Sequence, residues 1–164
     1  MQITAASAMW FLPAVLPICV YVAYTDMRAM RIPNHAVGAL ALLFLVLGLV
    51  ALPLADYPWR LLQLVAILAL GIVLNYAGAL GAGDAKFAAA AAPFIHPGDL
   101  RLLIVLFAAV LLAAFVTHRI AKHSPLRRLA PDWQSWSTGS DFPMGLALGG
   151  TLAVYLGLGT IWGA

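Results

Sequence analysis

Gly81-Ala82-Gly83-Asp84-Ala85-Lys86 lies between two long apolar runs, and whether the chain crosses a membrane just after it decides the fold. The run before it, about Leu61 to Leu80, is long enough to span a bilayer. The run after it, about Ala85 to Ile95, holds about eleven residues, against the roughly 17–25 that a spanning helix uses. An acid at the edge of a membrane is costly, so it marks a position with a task. Glycines beside it let the backbone leave ideal helix geometry and admit another chain at close range.

The rest of the chain sets that stretch in a membrane. Of 164 residues, 64% are hydrophobic and 9% charged, and the mean hydropathy is +0.98. Soluble domains are about 45–50% apolar and about 25% charged. The composition therefore predicts an all-α, polytopic membrane protein forming one domain over residues 1–164. The net charge of +3 reads as membrane topology and not as nucleic-acid binding. Cys19 is the only cysteine, which excludes an internal disulfide and a thiolate zinc site. His118 and His123 stand five apart, off a shared helical face, and no acid is placed to complete a metal shell. Ser7, Ser124, Ser135, Ser137 and Ser140 have no nucleophile motif around them. No Lys or Arg precedes the first apolar run, so Trp10–Tyr24 reads as a retained span and not as a signal peptide.

Six spans are predicted, at about Ala8–Tyr24, His35–Leu54, Leu61–Leu80, Ala85–Ile95, Leu102–Thr117 and Phe142–Trp162. The short fourth one has two readings, a crossing or a re-entrant segment, and charge decides between them. With six crossings, one side receives Arg28, Arg31, Lys86, Arg119, Lys122, Arg127 and Arg128, and the other only Arg60 and Arg101. Seven against two is a positive-inside pattern. Both termini are then non-cytoplasmic, and 118–141 is the longest cytoplasmic loop.

This topology puts Asp26, at the end of the first span, and Asp84, at the start of the fourth, at one membrane depth on the cytoplasmic side. Two carboxylates held close together do not both ionise readily; one keeps a proton while the other deprotonates a water. That is the chemistry of an aspartic protease, which uses no metal or cofactor. A helix N-terminus at Asp84 favours its charged form and makes it the expected base. Plainer readings stand beside these. Asp84 fits a helix N-cap, Asp26 an interfacial acid paired with Arg28, and Gly81 and Gly83 a tight turn. Lys86 reads first as a topology marker, Asn75 as a helix–helix hydrogen bond, and Trp133, Trp136 and Phe142 as an interfacial aromatic belt. A proton- or ion-coupled transporter or channel is the rival class, because intramembrane acids and glycine-broken helices also build ion paths. Its acids would sit nearer the midplane.

Gly81-Ala82-Gly83-Asp84 resembles the GxGD motif of the intramembrane aspartic proteases, a class that includes presenilin, signal peptide peptidase and the type IV prepilin peptidases. Asp26-Met27-Arg28 followed by Arg31-Ile32-Pro33-Asn34 resembles the first catalytic segment of the prepilin peptidases, Gly81–Lys86 the second, and Phe142-Pro143-Met144-Gly145 the Pro-x-Gly that opens their last helix. The resemblance implies a catalytic dyad of Asp26 and Asp84, supported by Gly81, Gly83, Lys86, Pro143 and Gly145. It also implies removal of a positively charged leader from a type IV prepilin at the inner face of the bacterial inner membrane. The long members of that family carry a cytoplasmic domain with paired CxxC motifs between the first two helices. Here that loop, Thr25–Asn34, is about ten residues with no cysteine, so the chain resembles the short members, which include the peptidases of tight-adherence (Flp) pilus systems and the archaeal preflagellin peptidases. The compact Ile32-Pro33-Asn34 loop without an extended insertion resembles the Flp type more.

Overall fold

In the computed structural model, which describes residues 1–139 and 141–164, the chain is helical, with no strand among the described residues. Ser140, in the 118–141 loop, lies outside the described residues. The helices are α1 (Ala5–Ala29), α2 (Asn34–Ala51), α3 (Tyr57–Tyr76), α4 (Ala82–Ala91), α5 (Leu100–Lys122) and α6 (Met144–Trp162). All but α4 are long and apolar enough to cross a membrane, five in number among the described residues. α4 has 10 residues and runs on into a 3-10 turn, Ala92–Phe94.

Local chemistry sets the boundaries. Thr4 caps α1, its hydroxyl accepting the Ser7 N–H at 3.1 Å. α1 runs past Tyr24, so Asp26 lies inside its last turn and not in the loop after it. The helix closes at Met30, which takes the left-handed conformation (φ 49°) and donates its N–H to the Asp26 carbonyl at 2.8 Å. α3 stops at Tyr76, short of Leu80, because Gly78 turns left-handed (φ 74°) and Asn75 Nδ2 donates to the Leu80 carbonyl at 2.7 Å. Asn75 therefore folds its own loop back and does not bridge helices.

α1 packs along α6 and against α2, and α3 packs on α4. Lipid is as apolar as a leucine side chain, so membrane helices associate by close packing at small residues. α6 meets α1 through glycines. A Cβ on Gly149 would lie 2.9 Å from the Cys19 carbonyl oxygen, and one on Gly159 3.0 Å from Ala8 Cβ. Phe11, Phe44 and Phe94 fill the middle, with Phe11 5.0 Å from Phe94 and Phe44 5.3 Å from it between ring centroids. α5 stands on the periphery, where only His118 is buried.

The two ends of the bundle differ chemically. At one end the chain termini meet: the Ala164 N–H bonds the Ile3 carbonyl at 3.0 Å. Beside them Asp99 is buried. It accepts the Gln2 N–H (2.7 Å), the Ile3 N–H (3.1 Å) and the Tyr155 hydroxyl (2.8 Å). Arg60, also buried, donates to the Ile95 carbonyl. At the other end are Asp26, Asp84 and the 118–141 loop. The stretch from Asp84 to Asp99 thus runs from one end to the other although α4 itself is short. The 3-10 turn and the extended Ile95 and His96 gain more length per residue than an α-helix does.

The long loop is folded. Trp133 stacks on Trp136 (5.6 Å), Trp136 on His118 (5.1 Å), and Phe142 meets His118 edge-on (5.7 Å). Trp136 is 5% exposed, so it belongs to the protein interior and not to an interfacial belt. Arg119 and Lys122 both donate to the Gly139 carbonyl, at 3.4 and 3.2 Å.

Candidate active site

Asp26 is placed by the last turn of α1, and the first turn of α6 comes to meet it. The Gly145 N–H donates to Asp26 Oδ2 at 2.6 Å. The first amides of a helix have no partner within it and carry the positive end of its dipole, so this donor stabilises charge on the carboxylate. Position 145 requires glycine. A Cβ there would lie 2.9 Å from Asp26 Cβ and 3.0 Å from Oδ2. Pro143 is buried as the residue before α6 and sets the extended entry to it (φ −70°, ψ 94°). The expected pairing of Asp26 with Arg28 does not occur, since Arg28 Nη1 donates to the Tyr24 hydroxyl at 3.2 Å.

Asp84 is the third residue of α4, and the cap position belongs to Gly81, so Asp84 is not an N-cap. Its carboxyl turns back over Gly81, where a Cβ would lie 2.6 Å from Asp84 Oδ2. Gly83 leaves room for the first loop: its Cβ would lie 3.3 Å from Ile32 Cβ. Lys86 Nζ donates to Asn34 Oδ1 at 3.1 Å, which ties α4 to the start of α2. This bond places Lys86 on the wall of the site, beside its reading as a topology marker.

These groups surround one open cavity of about 740 Å³. Asp26 and Asp84 line it together with Gly81, Gly83 and Lys86, and the negative charge of Asp26 acts on Asp84. Burial, and then that charge, push the Asp84 carboxyl up to about 6. The helix end expected to favour the charged form of Asp84 does not prevail there: no hydrogen bond to its carboxyl is present among the described residues, while α6 supplies such a donor to Asp26. Pro143 and Gly145 act from behind Asp26 and do not line the cavity.

Several lining residues entered the sequence reading only as parts of motifs or of the 118–141 loop, with no role at the site of their own. Arg31 and Ile32 come from the first loop, Asn34 from the start of α2, and Asp141, Phe142 and Met144 from the entry to α6. The signal was present for Asn34, which follows Ile32-Pro33, but its partner Lys86 is 52 residues away. A volume this size with two carboxylates, a donor behind one of them and an open mouth suits hydrolysis of a bond presented in an extended segment.

The model of a family described as the type IV leader peptidase family matches residues 14–118, a stretch that carries both aspartates. No curated protein and no solved structure matches the chain.

Proposed function

The chain belongs to the type IV leader peptidase family, and on that premise we propose that it is an aspartic endopeptidase that removes the cytoplasmic leader of Flp-like type IV prepilins. It acts at the inner face of the bacterial inner membrane, with six crossings, both termini non-cytoplasmic and the 118–141 loop in the cytoplasm. The end-to-end run from Asp84 to Asp99 supports the sixth crossing, and the seven basic residues at the dyad end support the orientation. The observation that carries the reading is the meeting of Asp26 and Asp84, from two separate helices, on one cavity at one end of the bundle.

The environments of the two acids divide the labour. Asp26, backed by the Gly145 N–H, carries the charge and acts as base. Asp84, pushed up to about 6, carries the proton. Asp26 takes a proton from a water held between them, and the hydroxide adds to the scissile carbonyl. Asp84 gives its proton to the carbonyl oxygen, which leaves a neutral gem-diol. Asp26 then returns its proton to the leaving nitrogen while Asp84 recovers one from the collapsing diol. The pair titrates as a unit throughout. Acids at a membrane face suit a peptidase better than a transporter, whose sites lie near the midplane.

The test is co-expression of an Flp-type prepilin with the wild-type chain, Asp26→Asn or Asp84→Asn, with precursor length read on a gel. Shortening by the wild type alone is expected. Equal shortening in all three would sink the dyad, and none in any would sink the assigned reaction.

A further inference from the structure

Three apolar hollows follow α5 away from the cavity that holds the aspartates. The first shares Phe142 and Met144 with that cavity and runs along Ala108, Leu111 and Phe115. The second, of about 320 Å³, opens between Ile67 of α3 and Ile104 and Phe107 of α5. The third shares Ile67, Ala92, Ile95 and Leu103 with the second and ends at Pro97 and Leu100. From Phe115 to Leu100 this track covers about 22 Å of helix, most of the roughly 30 Å of a bilayer's hydrocarbon.

Two helices lead from the cavity into the track on successive turns. On α4, Asp84 lines the cavity, and Ala88 and then Ala91 line the groove. On α6, Met144 lines the cavity, and Leu148 and then Leu152 line the groove. The floor along Ala88, Ala91 and Ala92 is made of small side chains, which is what close approach of another membrane helix requires. Gln63, on the wall of the third hollow, carries a side-chain oxygen that is buried and has no hydrogen-bond partner among the described residues.

Resting on the peptidase reading above, we propose that this groove between α3 and α5 receives the apolar transmembrane helix of the substrate, on the non-cytoplasmic side of the scissile bond. The helix lies against the alanine face of α4. At the level of Ala88 it gives way to an extended segment that passes Asp84 into the cavity. The groove therefore sets the depth at which the substrate is cut.

The experiment is site-directed disulfide cross-linking in membranes with the full chain, carrying Asp84→Asn to hold the precursor uncut. Ile104→Cys places a thiol in the groove. Val46→Cys places one on α2, similarly exposed and similarly far from the same end of the bundle, outside all three hollows. Cys19 is buried and common to both variants. The partner is an Flp-type prepilin with a single cysteine walked through its apolar helix, and the wild-type chain is tested for cleavage of each precursor in parallel. The expected result is at least tenfold more cross-linked product at Ile104→Cys than at Val46→Cys, peaking at one depth of the precursor helix. Equal or absent cross-linking at Ile104→Cys while the wild type still cuts overturns the groove and leaves the peptidase standing. A cross-link between two copies of this chain through Ile104→Cys assigns the groove to self-association and overturns the proposal too. Absence of cleavage by the wild type overturns both readings.

Discussion

Burial and the charge of Asp26 push the Asp84 carboxyl up to about 6 from an ordinary 3.8, so the folded chain holds this proton more tightly than the unfolded chain does. Its contribution to stability is full below about 3.8 and is lost as pH rises through about 6. Asp84→Asn should therefore melt above the wild type at pH 8, and the gap should close as pH falls to 4. In cleavage, kcat/KM should fall as pH rises through about 6, because it reports the free enzyme. The limb in kcat should lie higher, since bound substrate excludes water from the pair; a lower limb would contradict the assignment of the proton to Asp84. Gly145 tests the other carboxylate. Gly145→Ala drives a methyl against the Asp26 side chain and should lower kcat/KM by roughly 10–100-fold, about 1.4–2.8 kcal/mol, with helix content retained. Gly157→Ala, which meets nothing within 4 Å, should leave cleavage unchanged. The two aspartates were legible because acids are scarce in so apolar a chain. Gly145 was legible only through its family motif; that its N–H donates to Asp26 was not, because the two lie 119 residues apart and no local pattern encodes that approach.

Among the elements, α1 and α6 form the contact on which the site depends, and their spacing is set by glycine. Gly149→Ala would put a methyl 2.9 Å from the Cys19 carbonyl, a backbone atom that cannot swing aside. Forcing the helices apart costs about 1–3 kcal/mol by overpacking, so a lower melting temperature is expected along with reduced cleavage. The long spans were readable from hydropathy, and most of their ends fell within a few residues. The ends that moved did so for local reasons: Met30 closes α1 a turn after Asp26, and Gly78 with Asn75 closes α3 early. The 118–141 loop was read as polar because its charges are. Its interior, where Trp136 lies on His118, depends on ring stacking that composition alone does not reveal.

At the scale of the whole molecule, the end away from the dyad is tied together by Asp99. Its carboxyl joins the N-terminal strand of backbone to α6 through Gln2, Ile3 and Tyr155. Asp99→Asn weakens these charge-assisted bonds and turns an amide donor toward other donors. A loss of about 1–3 kcal/mol in stability is expected, with kcat/KM at low temperature held within about twofold. A fall in kcat/KM as large as that of Gly145→Ala would mean that the two ends are coupled. This clamp was hidden in the sequence, because an aspartate after Pro97-Gly98 looks like any surface turn. The indoles divide between the same two ends: Trp133 and Trp136 stand face to face beside the dyad cavity, while Trp10, Trp59 and Trp162 lie far off and exposed. Two chromophores stacked at 5.6 Å share their excitation, so the dyad end carries an optical signature that the other three cannot imitate. The chain thereby reports in near-ultraviolet light whether the packing of its 118–141 loop on His118 has shifted, with no label attached.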